Sequence, residues 1–442
     1  MAYTETTTTG YGKRLSNSAK GIFGGIIAFI AGTILLFWNE GRFVNRRATI
    51  GEAERKCVAV ESVAKIDKDL NGEVIHATAM ANTTNTLTDA EFGVSAVAIK
   101  LKRNVEYYQW KENKETKKKD NVGGSETTTT TYTYRKEWVG APVDSSEYKE
   151  AAEHKNTTLV KIDDMEEQAE DVTFGAYRLP SFLVKKIGGS VPVAVSPSEA
   201  QINTWNNKLG VPVGAPGPGD FGEEAESLED LDDEYFAAES KPAAVAAAET
   251  PVAAATQTAA AAPSGKMLHI EGNTVYFGAN PDAPQIGDVR VTLTKTPPAE
   301  VSIIAQVKGT TFTEYVSEKT NGRVSSLAMG DKSMGAMFAD LYFANSMWTW
   351  ILRLVGMLLV IGGLKGIFGI VTTLLKVLPF LSDIVGVGIG LVCGVVGFAW
   401  SLLVISSAWL TYRPIIGVPL LIISIAGIVY LKKVAKTKKA AA

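Results

Sequence analysis

Few groups in this chain could bind a metal or act as acid, base or nucleophile near neutral pH: three histidines, two cysteines and scattered carboxylates. His76, His154 and His269 are far apart and lack metal-ligand spacing. Neither Cys57 nor Cys393 has a histidine nearby in sequence to take its proton, and two cysteines cannot make a disulfide framework. Cys57 follows the first apolar segment and Cys393 lies deep in a later one, so both are expected as free thiols. Asp163, Asp164 and Asp383 are isolated or surface-like acids. No G-x-S-x-G, P-loop or H-E-x-x-H sequence occurs. The expectation is a chain with no catalytic residues, no cofactor-binding residues and no metal ligands, and therefore not an enzyme. A net charge of −3 gives no electrostatic basis for nucleic-acid binding.

What remains is the chemistry of charge beside hydrocarbon. Gly21 to Trp38 contains no charge, and a dense apolar block runs from Met347 to Leu431. A hydrocarbon core of about 30 Å takes roughly 20 apolar helical residues to cross. Lys13, Arg14 and Lys20 precede the first stretch as in a signal sequence, but Phe37-Trp38-Asn39-Glu40-Gly41-Arg42 is no small-residue cleavage site, so a retained anchor is expected. Arg353 is the one charge well inside the second helix. It stands about one turn from the outer interface, where it can snorkel and meet Glu40 across the helices. The competing reading places it on an ion or substrate path. A transporter would also show opposed intramembrane acids, broken helices or an internal repeat, and none is evident.

The elements that must position these charges follow from basic residues and aromatic belts. Residues 1–20 form a cytoplasmic segment and 21–38 the first crossing. Residues 39–211 and 266–346 are two parts of an extracytoplasmic β-rich region, separated by a linker at 212–265. The second crossing is 347–375, with an amphipathic extension from Lys365 along the inner surface. The third is 384–410 and the fourth 415–431, and 432–442 is a basic cytoplasmic tail. Trp38, Trp348, Trp350, Trp409 and Tyr412 fall at one membrane face, where an outer-interface cluster of Trp38, Glu40, Arg42, Arg353, Tyr412 and Arg413 is expected. Gly24, Ala28 and Gly32 in the first helix, and Gly386, Gly390 and Gly394 in the third, recur every four residues and predict close helix packing.

Alternating apolar and polar residues predict strands at Val58–Ile66, Val74–Met80, Val94–Leu101, Val289–Leu293 and Val301–Val307. Val105–Trp110 and Thr127–Trp138 read as arms of a long hairpin whose exposed tip is the lysine-rich Lys114–Gly124. Ser145–His154 and Leu179–Ile187 are short helix candidates. Pro212–Ser264 is Pro/Gly-rich, then acidic, then Ala-rich, a composition that cannot bury enough apolar surface to order itself. Asn82-Thr83-Thr84 and Asn156-Thr157-Thr158 match the glycosylation pattern. The expected fold class is a membrane α-helical protein, with one N-terminal and three C-terminal transmembrane helices and a large β-rich α+β extracytoplasmic domain.

Several phrases occur in order along the chain: Leu36-Phe37-Trp38-Asn39-Glu40-Gly41-Arg42, Arg103-Asn104-Val105-Glu106-Tyr107-Tyr108-Gln109-Trp110, Tyr132-Thr133-Tyr134-Arg135-Lys136-Glu137-Trp138, His154-Lys155-Asn156, Gly287-Asp288-Val289-Arg290-Val291, Asn345-Ser346-Met347 and Tyr412-Arg413-Pro414. The chain resembles the transmembrane protein 43 (LUMA) family across nearly its whole length, with 212–264 an insertion relative to animal members. The resemblance singles out the hairpin residues Glu106, Tyr108, Gln109, Trp110, Tyr132, Tyr134 and Trp138. It implies four crossings with the large domain in the lumen or its equivalent. Animal members are placed in the endoplasmic reticulum and inner nuclear membrane, where they self-associate and organise envelope proteins such as emerin and lamins.

The resulting functional expectation is a noncatalytic multi-pass scaffold that self-associates and organises membrane or envelope assemblies through its extracytoplasmic domain. A channel or transporter, or an extracytoplasmic lipid- or ligand-binding protein, is the alternative. The expected partners are the lipid bilayer, a second copy of the chain in a homo-oligomer, and other envelope proteins (emerin- and lamin-like only in a eukaryote). The Ala-rich linker and the lack of a retention signal favour a bacterial inner membrane, with the endoplasmic reticulum or inner nuclear membrane as alternative.

Overall fold

Two long helices carry the chain from apolar to polar surroundings without a break. The computed structural model describes residues 2–209, 213–214, 267–377 and 379–415, and scattered positions from 418 to 429. Helix α1 covers Tyr11–Lys56 and contains the uncharged 21–38 stretch. It continues because residues 39–56 hold no proline and are rich in Glu, Arg and Ala. Arg55 and Lys56 end it, favourably placed at the negative end of the helix dipole. At about 1.5 Å per residue, 46 residues make a rod of about 69 Å.

Helix α3, Met334–Leu375, starts where Ser333 accepts a hydrogen bond from the Ala336 N–H. Helix α4 is Pro379–Tyr412. Between α1 and α3 comes α2, Glu199–Lys208, opened by a Ser198/Gln201 capping box. The three long helices each hold a stretch long and apolar enough to cross a membrane. The second runs on unbroken to Leu375, so no separate surface-lying piece begins at Lys365. Lys365 faces the α4 glycines instead, its Cε 3.9 Å from where a Gly390 Cβ would sit. The fourth crossing at 415–431 and the tail at 432–442 fall largely outside the described residues, as does almost all of the 212–265 linker.

Helices α1 and α3 pack antiparallel, but not through the predicted faces. Gly25, Gly32, Leu36 and Asn39 are buried against Gly363, Val360, Gly356 and Thr349. A Cβ on Gly363 would lie 2.6 Å from the Phe29 backbone nitrogen, and one on Gly32 would lie 2.8 Å from the Gly356 carbonyl oxygen. Of the predicted stripe in α1, only Gly32 takes part. Ala28 is half-buried, and Gly24 has nothing within 4 Å. Positions 25, 29, 32, 36 and 39 alternate steps of four and three, the 3.5-residue seam of a left-handed helix pair, whereas strict steps of four drift off that seam. On α4, Gly394 has open space, and Gly386 and Gly390 meet only side-chain carbons at 3.7 and 3.9 Å. The α4 glycine that is packed is Gly397, where a Cβ would lie 2.7 Å from Ile361.

The β-rich region is built on two large sheets whose inner faces share one core, with three two-stranded sheets beside them. In the first, the strands run in the order β1 (Ala2–Thr9), β4 (Glu126–Val139), β3 (Lys100–Asp120), β5 (Val289–Thr296), followed by the strands Thr274–Phe277 and Leu268–Glu271. In the second, β2 (Val74–Asn82) pairs antiparallel with β6 (Ala299–Lys308). Because β3 pairs with β5 and β2 with β6, the segments on either side of 212–265 form one domain that the linker interrupts. Leu101, Val105, Tyr107, Val289, Val291 and Leu293 from the first sheet meet Ile75, Ala77, Val301, Ile303 and Ala305 from the second in one fully buried core. The far side of the second sheet, through Val74 and Ile304, rests on Ile50 and Ala53 of α1 and on Met337 and Phe338 of α3.

Other local expectations shift. The strand expected at Val58–Ile66 stops at Ala59. Ser145–His154 is a series of turns, and Leu179–Ile187 keeps one helical turn, Ser181–Val184. Strand β1 lies in the segment expected as a cytoplasmic leader, paired along its whole length with β4.

Candidate functional site at the membrane–domain junction

Glu40 is the centre of the junction. It is wholly buried, two residues beyond the uncharged part of α1, and its carboxylate takes three hydrogen bonds. Arg353 of α3 donates from Nε to Oε1 at 2.7 Å and from its second guanidinium nitrogen to Oε2 at 2.7 Å. Trp409 of α4 donates its indole N–H to Oε2 at 2.6 Å. The Arg353 guanidinium also lies over the Trp350 ring, 4.8 Å from its centre. One carboxylate thus ties three helices together, and the bidentate geometry is the strong form of the Arg–carboxylate pair.

The residues beside Glu40 complete the junction. Asn39 donates to the Thr349 carbonyl at 3.0 Å. Arg42 donates to the Asn39 side-chain oxygen and, at 2.9 Å, to the Thr349 hydroxyl, and reaches the Asn345 side-chain oxygen at 3.4 Å. Asn345 in turn donates to the Phe43 carbonyl. A Cβ at position 41 would lie 2.6 Å from the Tyr412 ring, so only glycine lets that ring seat against α1. Arg413 sits over Trp409 with 5.9 Å to the ring centre, and Trp38 is more than half exposed at the same level. The structure therefore brings Trp38, Glu40, Arg42, Arg353, Tyr412 and Arg413 into one neighbourhood.

A second joint, which sequence reasoning missed, lies three turns further along α1. Glu52 is buried and accepts from the Tyr315 hydroxyl at 2.6 Å, the Ser317 hydroxyl at 2.9 Å and the Glu318 backbone N–H at 2.9 Å. Hydrogen bonding by Tyr315 first, opposed by burial and reinforced by Glu318 and Ser317, pushes its pKa down to about 2. A polar-looking Glu-Ala-Glu run gives no sign in sequence that its first acid is buried.

The hairpin residues fasten loops rather than forming a pocket. Arg290 makes two hydrogen bonds to Glu106, at 3.0 and 2.7 Å, and its guanidinium covers Trp138, 4.4 Å from the ring centre, while Tyr108 packs against Trp138 at 5.1 Å. Gln109, fully buried, accepts from the Val143 N–H and donates to the Thr157 carbonyl. Trp110 receives Asn156 through its backbone and meets His154 edge-on. Tyr134 stacks on His154 at 3.7 Å and donates to Glu112. Tyr132 packs against Tyr3 of β1. Asn156 is 1% exposed and its amide donates to the Trp110 and Val143 carbonyls, so this pattern match carries no glycan in the folded chain.

Among the described residues, one group has metal-ligand chemistry: Glu150, Glu153 and His154, whose ligand atoms lie within 4.8 Å of one another. One Glu150 carboxylate oxygen there is buried without a hydrogen-bond partner. Sequence spacing passed it over because a Glu-x-x-Glu-His run in a turn is not a recognised ligand pattern. His76 and His269 contact backbone carbonyls far from it. Cys57 and Cys393 are unpaired.

At the other end of the helices the hairpin tip is not free, as expected, but docked. Arg14, 7% exposed, donates to Asp120 at 2.5 Å, to Glu126 at 3.3 Å and to the Gly124 carbonyl at 2.8 Å. Lys376 pairs with Asp120 at 3.2 Å, and the Gly123 N–H donates to the Val377 carbonyl. Carboxylates on the tip facing cations on the helix ends account for the contact. It joins residues expected on opposite sides of a bilayer.

The profile of the family described as Transmembrane protein 43 matches residues 107–414. Transmembrane protein 43 of the rat is 25% identical over 97% of this chain and 94% of its own length, and the human protein is 25% identical over 92% and 88%. The transmembrane protein 43 homolog of Drosophila melanogaster is 24% identical over 90% of each chain. No solved structure matches. These relatives are animal proteins, and they lend no support to the expected bacterial inner membrane. With three membrane-length helices among the described residues, a large β-rich domain and a profile match over most of its length, the chain belongs to the transmembrane protein 43 family.

Proposed function

We propose that this protein is a noncatalytic membrane scaffold that self-associates and organises membrane or envelope protein assemblies through a domain held outside the cytoplasm. The observation that carries this reading is mechanical. Helices α1 and α3 pass unbroken from apolar segment to β-domain, and buried polar joints fix them at Glu40 and Glu52. A transporter needs helices that break or rock around a central site, whereas these are locked to each other. Arg353, the one residue that suggested an ion path, is neutralised by Glu40. The space beside Gly394 leaves a flat α4 face for another helix, from the same chain or a second copy.

Lysines on both faces of the hairpin formed by β3 and β4, such as Lys117 and Lys118, are exposed and belong in water. A bilayer around 21–38 separates Arg14 and β1 from the hairpin, so the proposed orientation requires both the tip contact and the β1–β4 pairing to open in the membrane. In-membrane crosslinking of lysines, read by mass spectrometry, tests both points. The expected result is cross-links between copies of the chain, and none joining Lys13 to Lys117–Lys119. A strictly monomeric protein that cross-links to nothing overturns the scaffold, and Lys13 joined to the tip within one chain overturns the orientation.

A further inference from the structure

Between α1, the loop at 317–322 and the end of α4 lies an open cleft of about 310 Å³. Arg42, Arg46, Asn45 and Thr320 line it, with Trp38 and Tyr412 at its membrane side, and no carboxylate is among its lining residues. Neither cation makes an ion pair among the described residues. Arg42 bonds only to neutral groups, the side chains of Asn39, Asn345 and Thr349. Arg46 donates to the Arg323 carbonyl. Nearby acids are taken: Glu40 by Arg353, and Glu314 by Arg323 at 3.7 Å with the Ser325 hydroxyl. Two positive charges in a half-buried cleft therefore stand without an ion pair among the described residues, with Glu40 and Glu314 acting on them only from a distance.

The depth of the cleft says which anion fits. Trp38 and Tyr412 are interfacial residues, whose rings favour the boundary between hydrocarbon and headgroups. At about 1.5 Å per residue along α1, Arg42 stands about 6 Å and Arg46 about 12 Å beyond Trp38. The headgroup layer on each side of the hydrocarbon is about 5–8 Å thick. Arg42 therefore stands at phosphate level and Arg46 just above it, where guanidinium donors match phosphate oxygens.

We infer that this cleft binds the phosphate group of an anionic phospholipid from the leaflet beside the β-domain. Phosphate oxygens would accept from Arg46, with the Asn45 side-chain amide able to donate alongside, and the acyl chains would descend past Trp38 and Tyr412. Free phosphate shares this chemistry but has no chains to place against those rings.

The test uses the full-length protein in nanodiscs containing phosphatidylcholine and phosphatidylglycerol, partly delipidated and weighed by native mass spectrometry. The expected result is preferential retention of phosphatidylglycerol, reduced about fivefold in Arg46→Gln and preserved in Arg46→Lys, as the loss of one cation near a charged surface implies. An unchanged melting temperature for Arg46→Gln separates lost binding from lost folding, and Asn45→Ala gives a second variant if that one unfolds. Equal retention of both lipids, or equal retention by wild type and Arg46→Gln, overturns the inference. Displacement of the lipid by millimolar inorganic phosphate overturns the assignment to a lipid.

Discussion

The Glu40–Arg353 pair allows a quantitative test of the junction. An exposed ion pair contributes about 0.2–1 kcal/mol, whereas removing one partner of a buried pair costs about 3–5 kcal/mol, since the other charge is left desolvated. Glu40 has no exposed surface and Arg353 keeps 18% of its side chain exposed. Glu40 is therefore the end that cannot recover water. Arg353→Met strands a carboxylate with only the Trp409 N–H, and should cost about 3 kcal/mol or more. Glu40→Met leaves a cation that can lean towards the headgroups, and should cost less. The double variant replaces both charges by apolar groups of similar length and should be close to wild type, which gives a coupling of at least about 2 kcal/mol in the cycle. Equilibrium unfolding of the full-length protein in bicelles, followed by tryptophan fluorescence, measures all four corners, with Trp409 as a local reporter. If each single change costs under about 1 kcal/mol and the two simply add, the pair is a snorkelling surface pair and the junction argument fails.

The two remaining predictions concern helix packing and acid. Gly363→Leu places carbon 2.6 Å from the Phe29 backbone and should destabilise the helix pair by at least about 1–3 kcal/mol in the same unfolding assay; an unchanged stability would mean that α1 and α3 do not pack through this face. Glu52 is an acid whose folded pKa, about 2, lies below its ordinary 4.5, so its stabilisation is complete above about pH 4.5 and is lost as pH falls from there towards 2. Wild type should lose thermal stability across that window, and Glu52→Gln, already lacking the charge, should show a flatter profile; parallel profiles would mean the Glu52 joint is not formed.

Long-period signals were legible in the sequence and short-range geometry was not. The uncharged 21–38 stretch, the alternation at 74–80 and 301–307, and the two hairpin arms all appear as elements, because a periodic apolar face needs many residues and leaves a plain trace. The meeting of Glu40 and Arg353 could be anticipated because an intramembrane cation needs an anion at its own depth. Of the expected α1 stripe, Gly32 lies in the seam while Gly24 and Ala28 fall one residue short of Gly25 and Phe29, since four-residue steps and the alternating four-and-three seam differ little over two turns. Ser145–His154 has helical periodicity but is held in turns by tertiary bonds, with the Tyr134 hydroxyl taking the Glu150 N–H and the Ser145 hydroxyl taking the Asn156 N–H. Strand β1 is a threonine-rich tail with no apolar face, and only its partner β4 makes it a strand.

How the β-domain is held follows from where the joints fall. Glu40 and Glu52 are twelve residues apart, so about 18 Å of one helix separates them. A single buried joint at the membrane boundary would let the domain pivot about it. Two joints on a continuous rod oppose pivoting, because tilting the domain must bend α1 or break the hydrogen bonds at Glu52. Helix α3 repeats the constraint, since it meets α1 at Arg353 near the membrane and again at Tyr342, whose hydroxyl donates to Glu54 at 2.7 Å. In the orientation proposed above, the ribbon tip parts from Arg14 and adds nothing to this hold. The sandwich is thus oriented by the helices at two depths, and in the orientation proposed above the lysine-rich hairpin is what it presents.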